Sequence, residues 1–299
     1  MVVVQQLING LILGSVYALF AIGLSLVWGI LKILNMAHAA IFTWGATAAY
    51  FLLIWLPLPL FVLIPSIMLF TGVLAAVVDF FAFRPVRKQQ RNPDDAELAT
   101  LVTSLGAAAV LLAIDVKLTN NGAVLAYPDS LFTVQRYTVA GITLSNLQIS
   151  MFVLAIVLSL GAAAFIKWNR TGKAMRAIAV NPDMAAMLGV NVDRLTIATI
   201  AVGGALAGAA GVLLGVAFHA IHSEMGDPLL LKAFAITILG SAGSVTGALV
   251  GGIMLGVIEA SVLTFASASY RDAVSFGLIV LVLLLRPKGI FAVATGERV

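Results

Sequence analysis

Long apolar runs follow one another along almost the whole chain, and this pattern constrains the fold more than any other feature. Hydrophobic residues make up 62% of the 299 residues and charged residues only 10%, whereas an average soluble domain carries about 25% charged residues. So few charges cannot cover the surface of a soluble protein of this length. Because runs of about 20 apolar residues cross a bilayer as helices, the chain is predicted to be an all-α polytopic membrane protein, a single transmembrane domain over residues 1–299.

The runs predict about eight or nine transmembrane segments, of which one is discontinuous. The fourth run is expected to end where Asp115 and Lys117 interrupt it. Leu229–Leu239 is too short to cross alone, and the glycine-rich stretch Gly240–Ser244 separates it from the next run. The longer runs are Leu7–Leu31, Asn35–Leu56, Leu60–Phe83, Leu98–Val116, Leu147–Ile166, Leu195–Phe218, Val245–Phe265 and Ala273–Leu285.

Clusters of Lys and Arg set the expected orientation, because cytoplasmic loops carry an excess of these residues. The clusters at 84–91, 167–194 and 286–298 should therefore be cytoplasmic, and the C-terminus with them. The polar stretch 117–146 should then be an extracytoplasmic loop, with room for a short hairpin.

Three groups of polar residues inside or beside the runs are candidates for a transport pathway. Asn35 and His38 open the second run directly after Lys32, and their spacing predicts that all three share one helix face, where they either line a pathway or cap the helix. Gly240, Ser241, Gly243 and Ser244 predict either a broken helix, which is tolerated at membrane depth only where it is buried or lines a cavity, or a tight turn near the interface. Glu259 should face the interior of the bundle, since an acid facing lipid costs several kcal/mol; its role is either a hydrogen bond to another helix or a part in transport.

Enzymatic and metal-dependent functions find no support in the sequence. Thr171-Gly172-Lys173-Ala174 lacks the first glycine and the Ser or Thr of a phosphate-binding loop. The absence of cysteine excludes thiolate metal sites and thiol catalysis. His219, His222 and Glu224 are interpreted as part of a turn and not as zinc ligands. We expect a protein that is not an enzyme and has no cofactor.

The central insertion 167–194 contains a predicted short helix over Pro182–Gly189. Asn181-Pro182-Asp183 is a helix-start signal, and Gly189 is suited to end the helix. Met184, Met187 and Leu188 fall on one face. A helix this short is marginal in water, so a partner surface is expected against that face.

Short motifs are distributed along nearly the whole chain, and together they resemble those of one family, the inner-membrane permease subunits of branched-chain amino acid ABC importers. They are Asn9-Gly10-Leu11, Gly14–Leu19, Asn35-Met36-Ala37-His38, Thr171–Ala174, Leu188–Asn191, Lys232-Ala233-Phe234, Gly240-Ser241, Gly243-Ser244 and Arg286-Pro287-Lys288-Gly289-Ile290. In such a protein the insertion 167–194 is the loop that docks on the ATPase. The residues expected to couple transport to ATP hydrolysis are then Arg176, Asp183, Ala185, Ala186, Met187 and Gly189.

The resemblance also implies partners and a substrate class. The partners would be a second, related permease subunit, two cytoplasmic ABC ATPase subunits and an extracytoplasmic substrate-binding protein. The substrates would be branched-chain amino acids or a related small polar solute such as urea or an amide. The alternatives are a stand-alone secondary transporter and a channel for a small solute.

Overall fold

The computed structural model describes residues 2–90, 92–127, 134–139 and 141–265, with five single positions beyond them. Seven helices in these ranges are long and apolar enough to cross a membrane, which confirms the predicted all-α polytopic class. The last apolar run of the sequence, Ala273–Leu285, lies outside the continuously described part of the chain.

The helices follow the apolar runs closely. They are α1 (Val2–Leu31), α2 (Ala37–Trp55), α3 (Leu60–Val78), α4 (Arg84–Gln89), α5 (Pro93–Leu118), α6 (Asn146–Trp168), α7 (Arg170–Val180), α8 (Pro182–Met187), α9 (Val192–Phe218), α10 (Gly226–Gly240) and α11 (Val245–Phe265). A π-helical turn, Asp79–Phe83, joins α3 to α4. The strands are β1 (Leu125–Ala126), β2 (Arg136–Val139), β3 (Ile142–Ser145) and β4 (Ala220–Ile221).

Helices α1 and α9 form the centre of the bundle. In α1, 89% of the most apolar window is buried inside the protein, and in α9 72%, whereas the figures for α5 and α6 are 22% and 28%. Small residues allow the close packing, because they let helix backbones approach one another where lipid supplies no hydrophobic drive. A Cβ atom at Gly14 of α1 would lie 2.9 Å from the carbonyl oxygen of Gly252 in α11, so the two helices pack there without room for a side chain.

The stretch 117–146 contains the expected hairpin, which marks one end of the bundle. Strands β2 and β3 pair antiparallel, with Tyr137 opposite Leu144. Thr143 is tied to the start of α1, because its N–H donates to Gln5 Oε1 at 2.9 Å and its carbonyl accepts from Gln5 Nε2 at 3.0 Å. We call this end the hairpin end, and the opposite end, which carries residues 84–90 and 167–194, the basic end.

The end of α5 lies close to the prediction. The predicted run ended at Val116 and the helix ends at Leu118, with Asp115 in its last turn. Asp115 is fully buried, and neither of its carboxylate oxygens has a hydrogen-bond partner among the described residues. Asp115 therefore marks the last turn of the helix as predicted, but its burial by tertiary packing was not predicted.

Candidate functional site

The connection between α1 and α2 departs from the predicted helix. Lys32 adopts a left-handed backbone conformation, with φ of 57°, directly after α1. Helix α2 begins only at Ala37, so Lys32 and Asn35 precede it and cannot share a helix face with His38. That prediction was wrong because hydropathy does not distinguish a buried irregular segment from a buried helix. The segment 32–36 is non-helical, and Ile33 and Asn35 within it are buried.

This segment turns back into the bundle. The N–H of Met36 donates to Ser104 Oγ at 3.0 Å, and Ser104 lies about three turns, or about 16 Å, along α5 from the basic end. His38 in turn packs beside Phe20 and Gly23 of α1, several turns before that helix ends. Irregular backbone at membrane depth is tolerated only where protein buries it or where it lines a cavity. We call residues 32–36 the re-entrant segment.

The two predicted pathway residues at this level have different surroundings. His38 Nε2 lies 3.3 Å from the carbonyl oxygen of Phe20, and the two rings pack with their centroids 4.7 Å apart. Asn35 is 1% exposed, and its Oδ1 has no hydrogen-bond partner among the described residues. A buried acceptor without a partner costs about 1–3 kcal/mol, so Asn35 Oδ1 is an acceptor that a polar ligand could satisfy.

The predicted discontinuous segment, which comprises α10 and the turn after it, packs against α1. Helix α10 has 15 residues and spans about 22 Å, less than the roughly 30 Å of a bilayer core. It ends at Gly240, and Ser241 and Gly243 then take left-handed conformations, with φ of 70° and 87°. The N–H of Gly243 donates to Ser25 Oγ at 3.0 Å. This confirms the predicted interruption and identifies it as a tight turn held against α1.

The break and His38 at the start of α2 therefore occupy neighbouring turns of α1. His38 packs on Phe20 and Gly23, and Gly243 packs on Ser25 and Gly29. No hydrogen bond joins His38 to Gly243 in the described part of the chain. The structure thus places both candidate groups around one helix without merging them into one pocket.

Glu259 belongs to a buried polar cluster that the sequence analysis predicted only in part. Its Oε1 lies 2.7 Å from Nζ of Lys232, and its Oε2 accepts from the hydroxyl of Tyr17 at 3.1 Å. The Lys232 ammonium also lies 5.4 Å from the centre of the Tyr17 ring. The ion pair and the hydrogen bond from Tyr17 together link α10, α11 and α1. A single lysine inside the apolar run Leu229–Leu239 was the signal that could have revealed it, because such a charge requires a partner.

At the basic end, three successive helices each begin at an asparagine. The side chains of Asn169, Asn181 and Asn191 accept hydrogen bonds from the N–H groups of Thr171, Met184 and Arg194 at 2.9–3.0 Å. Asparagine is among the preferred N-cap residues, and such caps fix the direction in which a helix begins. The insertion 167–194 is therefore an ordered series of helices α7, α8 and the start of α9.

The predicted short helix is present as α8. Gly189 ends it in a left-handed conformation, with φ of 85°, and the N–H of Val190 returns to the carbonyl of Ala185 at 3.1 Å. Ala185 is buried against the rest of the protein. The predicted apolar face is uncovered, and the residues assigned to coupling other than Ala185 are exposed as well. The exposed residues are Arg176, Asp183, Met184, Ala186, Met187, Leu188 and Gly189.

Ion pairs connect this region to α4, and sequence reasoning missed them. Asp193 at the start of α9 lies 2.7 Å from Arg84 and 3.2 Å from Lys88. Asp79 in the π-helical turn is buried and lies 2.7 Å from Arg87. Asp193 lies about a hundred residues from Arg84 and Lys88, so no local pattern could have paired them.

Comparisons with known proteins agree with this architecture. The family model described as "Branched-chain amino acid transport system / permease component" matches residues 6–283. The high-affinity branched-chain amino acid transport system permease protein BraD of Pseudomonas aeruginosa is 34% identical, covering 99% of this chain and 97% of its own. The LivH permease proteins of Escherichia coli K12 and Salmonella typhimurium are 34% and 33% identical at the same coverage. The chain therefore belongs to the family of permease components of branched-chain amino acid transport systems.

Proposed function

We propose that this protein is the membrane-spanning permease subunit of an ABC importer that carries branched-chain amino acids into the cytoplasm. The observation that carries the proposal is the uncovered apolar face of α8, formed by Met184, Met187 and Leu188 on a rigidly capped loop. An apolar face of this kind on a membrane protein suits a protein partner. Family membership and the names of the relatives support the substrate class.

The basic end faces the cytoplasm in this proposal. Arg84, Arg87 and Lys88 lie there with the positive residues of α7, in agreement with the rule that cytoplasmic loops are rich in Lys and Arg. Two ATPase subunits bind this end, and an extracytoplasmic binding protein delivers substrate to the hairpin end. A second, related permease subunit completes the membrane domain, which lies in the cell's inner membrane with the C-terminus in the cytoplasm.

The attachment of α8 to the bundle explains how ATP hydrolysis is coupled to transport. Ala185 is buried and the N–H of Val190 is bonded to its carbonyl, so α8 moves as one body with the start of α9. Helix α9 packs closely on α1, where a Cβ at Gly203 would lie 2.9 Å from the carbonyl oxygen of Gly23. A displacement of α8 by the ATPase is thereby passed to the centre of the bundle, because packed interfaces switch between discrete arrangements.

The transported amino acid passes along the face of α1 that carries the re-entrant segment and the break. A branched-chain amino acid is a zwitterion with an apolar side chain, so it needs hydrogen bonds at two ends and apolar surface between them. Irregular backbone provides free N–H and C=O groups without fixed charges. The pathway residues are Asn35, His38, Gly240, Ser241, Gly243 and Ser244, and Glu259 positions α10 and α11 through Lys232.

The proposal is tested by purifying the tagged chain from its own membranes in mild detergent and identifying the bound proteins by mass spectrometry. We expect ABC ATPase subunits and a second permease subunit in defined ratio. A chain that purifies only with itself would contradict the proposal and favour a stand-alone secondary transporter or channel.

A further inference from the structure

A cavity of about 460 Å³ opens at the basic end between the end of α1, α4 and the insertion. Its charged lining consists of Lys32, Arg84, Arg87, Lys88 and Asp193. Among the described residues four cations and one acid line the cavity, and the buried Asp79 beside Arg87 leaves an excess of two positive charges. The remaining lining is largely apolar and comes from the ends of α1, α7 and the start of α9.

Arg84 and Arg87 pair with Asp193 and Asp79, but part of the hydrogen-bonding capacity of these cations is not used within the described residues. Arg84 Nε and Arg87 Nη1 are buried and have no hydrogen-bond partner among the described residues. Lys32 forms no ion pair within the described ranges either. Its left-handed backbone, with φ of 57°, is costly for a residue with a side chain and is typical of positions held for a functional reason. These donors come from two elements, the re-entrant segment and α4.

An apolar surface adjoins the cavity on the outer side of the bundle. Phe80 and Phe81 in the π-helical turn are 51% and 74% exposed. The Arg84 guanidinium lies 5.6 Å from the centre of the Phe80 ring, so the aromatic surface continues directly into the cationic lining. The ligand that fits has an anionic head and an apolar tail.

We propose that this cavity binds the headgroup phosphate of an anionic glycerophospholipid, with its acyl chains along Phe80 and Phe81. Arginine and lysine donors form charge-assisted hydrogen bonds with phosphate, and basic pockets between transmembrane helices bind such headgroups. The bound phosphate joins Lys32 at the start of the re-entrant segment to Arg84, which pairs with Asp193 of α9. The lipid thereby stiffens the connection between the insertion and the centre of the bundle.

The test uses the complete complex, purified with its partner subunits, in phosphatidylcholine nanodiscs with or without phosphatidylglycerol. Native mass spectrometry counts the phosphatidylglycerol molecules that stay bound. Lys32→Gln is expected to lower retention about fivefold, since one cation near an anionic lipid surface contributes about that factor. Lys32→Gly removes the same charge while relieving the left-handed backbone, so it separates loss of binding from loss of folding. Lys32→Arg should retain the lipid.

Lys173→Gln is the matched control, because Lys173 is an exposed cation of α7 outside the cavity. It should leave retention unchanged. Equal retention in the wild type and in both Lys32→Gln and Lys32→Gly would overturn the proposal, as would an equal loss in the Lys173→Gln control. Displacement of the lipid by millimolar inorganic phosphate would identify a soluble phosphate site instead. Retention by the separated permease but not by the assembled complex would assign the cavity to the ATPase interface.

Discussion

Lys232 Nζ and Glu259 Oε1 lie 2.7 Å apart in the interior of the bundle, and this ion pair joins the two helices on either side of the break at Gly240–Ser244. Lys232 belongs to the short helix α10 and Glu259 to α11, while Tyr17 of α1 donates a hydrogen bond to the same carboxylate. Both charges are almost fully buried. Two sets of contacts thus hold the interruption at Gly240–Ser244 in place, namely this cluster and the packing of the turn against α1.

Removing one charge of this pair should destabilise the protein strongly. Lys232→Met leaves the Glu259 carboxylate buried without its cation, a change that costs about 3–5 kcal/mol. The double variant Lys232→Met with Glu259→Gln removes both charges and should recover much of that loss. Thermal unfolding of the purified protein in detergent measures both. A double variant less stable than Lys232→Met would show that the unpaired Glu259 charge is not the cause of the lost stability.

The close approach of α1 to the break should tolerate no added methyl group. A Cβ at Gly29 would overlap the backbone of Gly243, so Gly29→Ala forces the turn away from α1 and should cost about 1–3 kcal/mol. Gly161→Ala in α6 is the matched control, because a Cβ there meets nothing within 4 Å. The folded fraction after heating reports the difference. Equal stability of the two variants would refute the packing argument.

The exposed face of α8 should matter for transport and not for folding. Met187 is 82% exposed, so Met187→Glu leaves the folded protein intact but places a charge in the proposed ATPase interface. We expect transport to fall about tenfold or more, as for a residue at the centre of an interface. Met187→Leu keeps the apolar surface and should transport normally. Normal uptake by Met187→Glu would remove α8 from the interface.

Water access to the proposed pathway can be followed with thiol reagents, because the chain contains no cysteine. Asn35→Cys should resist a charged reagent in the resting complex, since Asn35 is buried, and should react during ATP turnover. Ala242→Cys at the break should react in at least one nucleotide state, and Ala21→Cys, at a fully buried position of α1, should react in none. If Asn35→Cys and Ala242→Cys stay unreactive in every state while transport continues, the pathway lies elsewhere.

The sequence predicted the helices well where hydropathy alone determines them. The insertion helix over Pro182–Gly189 was predicted because its cap, its apolar face and its terminating glycine are all local signals. The re-entrant segment was missed because Ile33 and Asn35 are as buried as a helix would be, although their backbone is irregular. The Lys232–Glu259 pair was missed because it depends on three helices meeting, which periodicity does not report.

The pathway residues were also difficult to predict, because their surroundings depend on contacts between helices. Asn35 and Gly243 were identified as candidates from composition, yet only the fold shows that Gly243 packs on α1 and that the segment containing Asn35 is held by Ser104 of α5. The basic cavity combines Lys32, Arg84 and Asp193, which lie far apart in the chain. Sites of this kind are built by packing between elements, and no spacing rule within one element could have found them.

The most direct test of the account is ATP-dependent uptake of radiolabelled leucine by proteoliposomes that contain this chain, its partner permease and the ATPase subunits. With the binding protein outside, the account predicts accumulation that requires ATP inside and that is lost in Met187→Glu but kept in Met187→Leu. Uptake by this chain alone, independent of ATP and of the ATPase subunits, would contradict it.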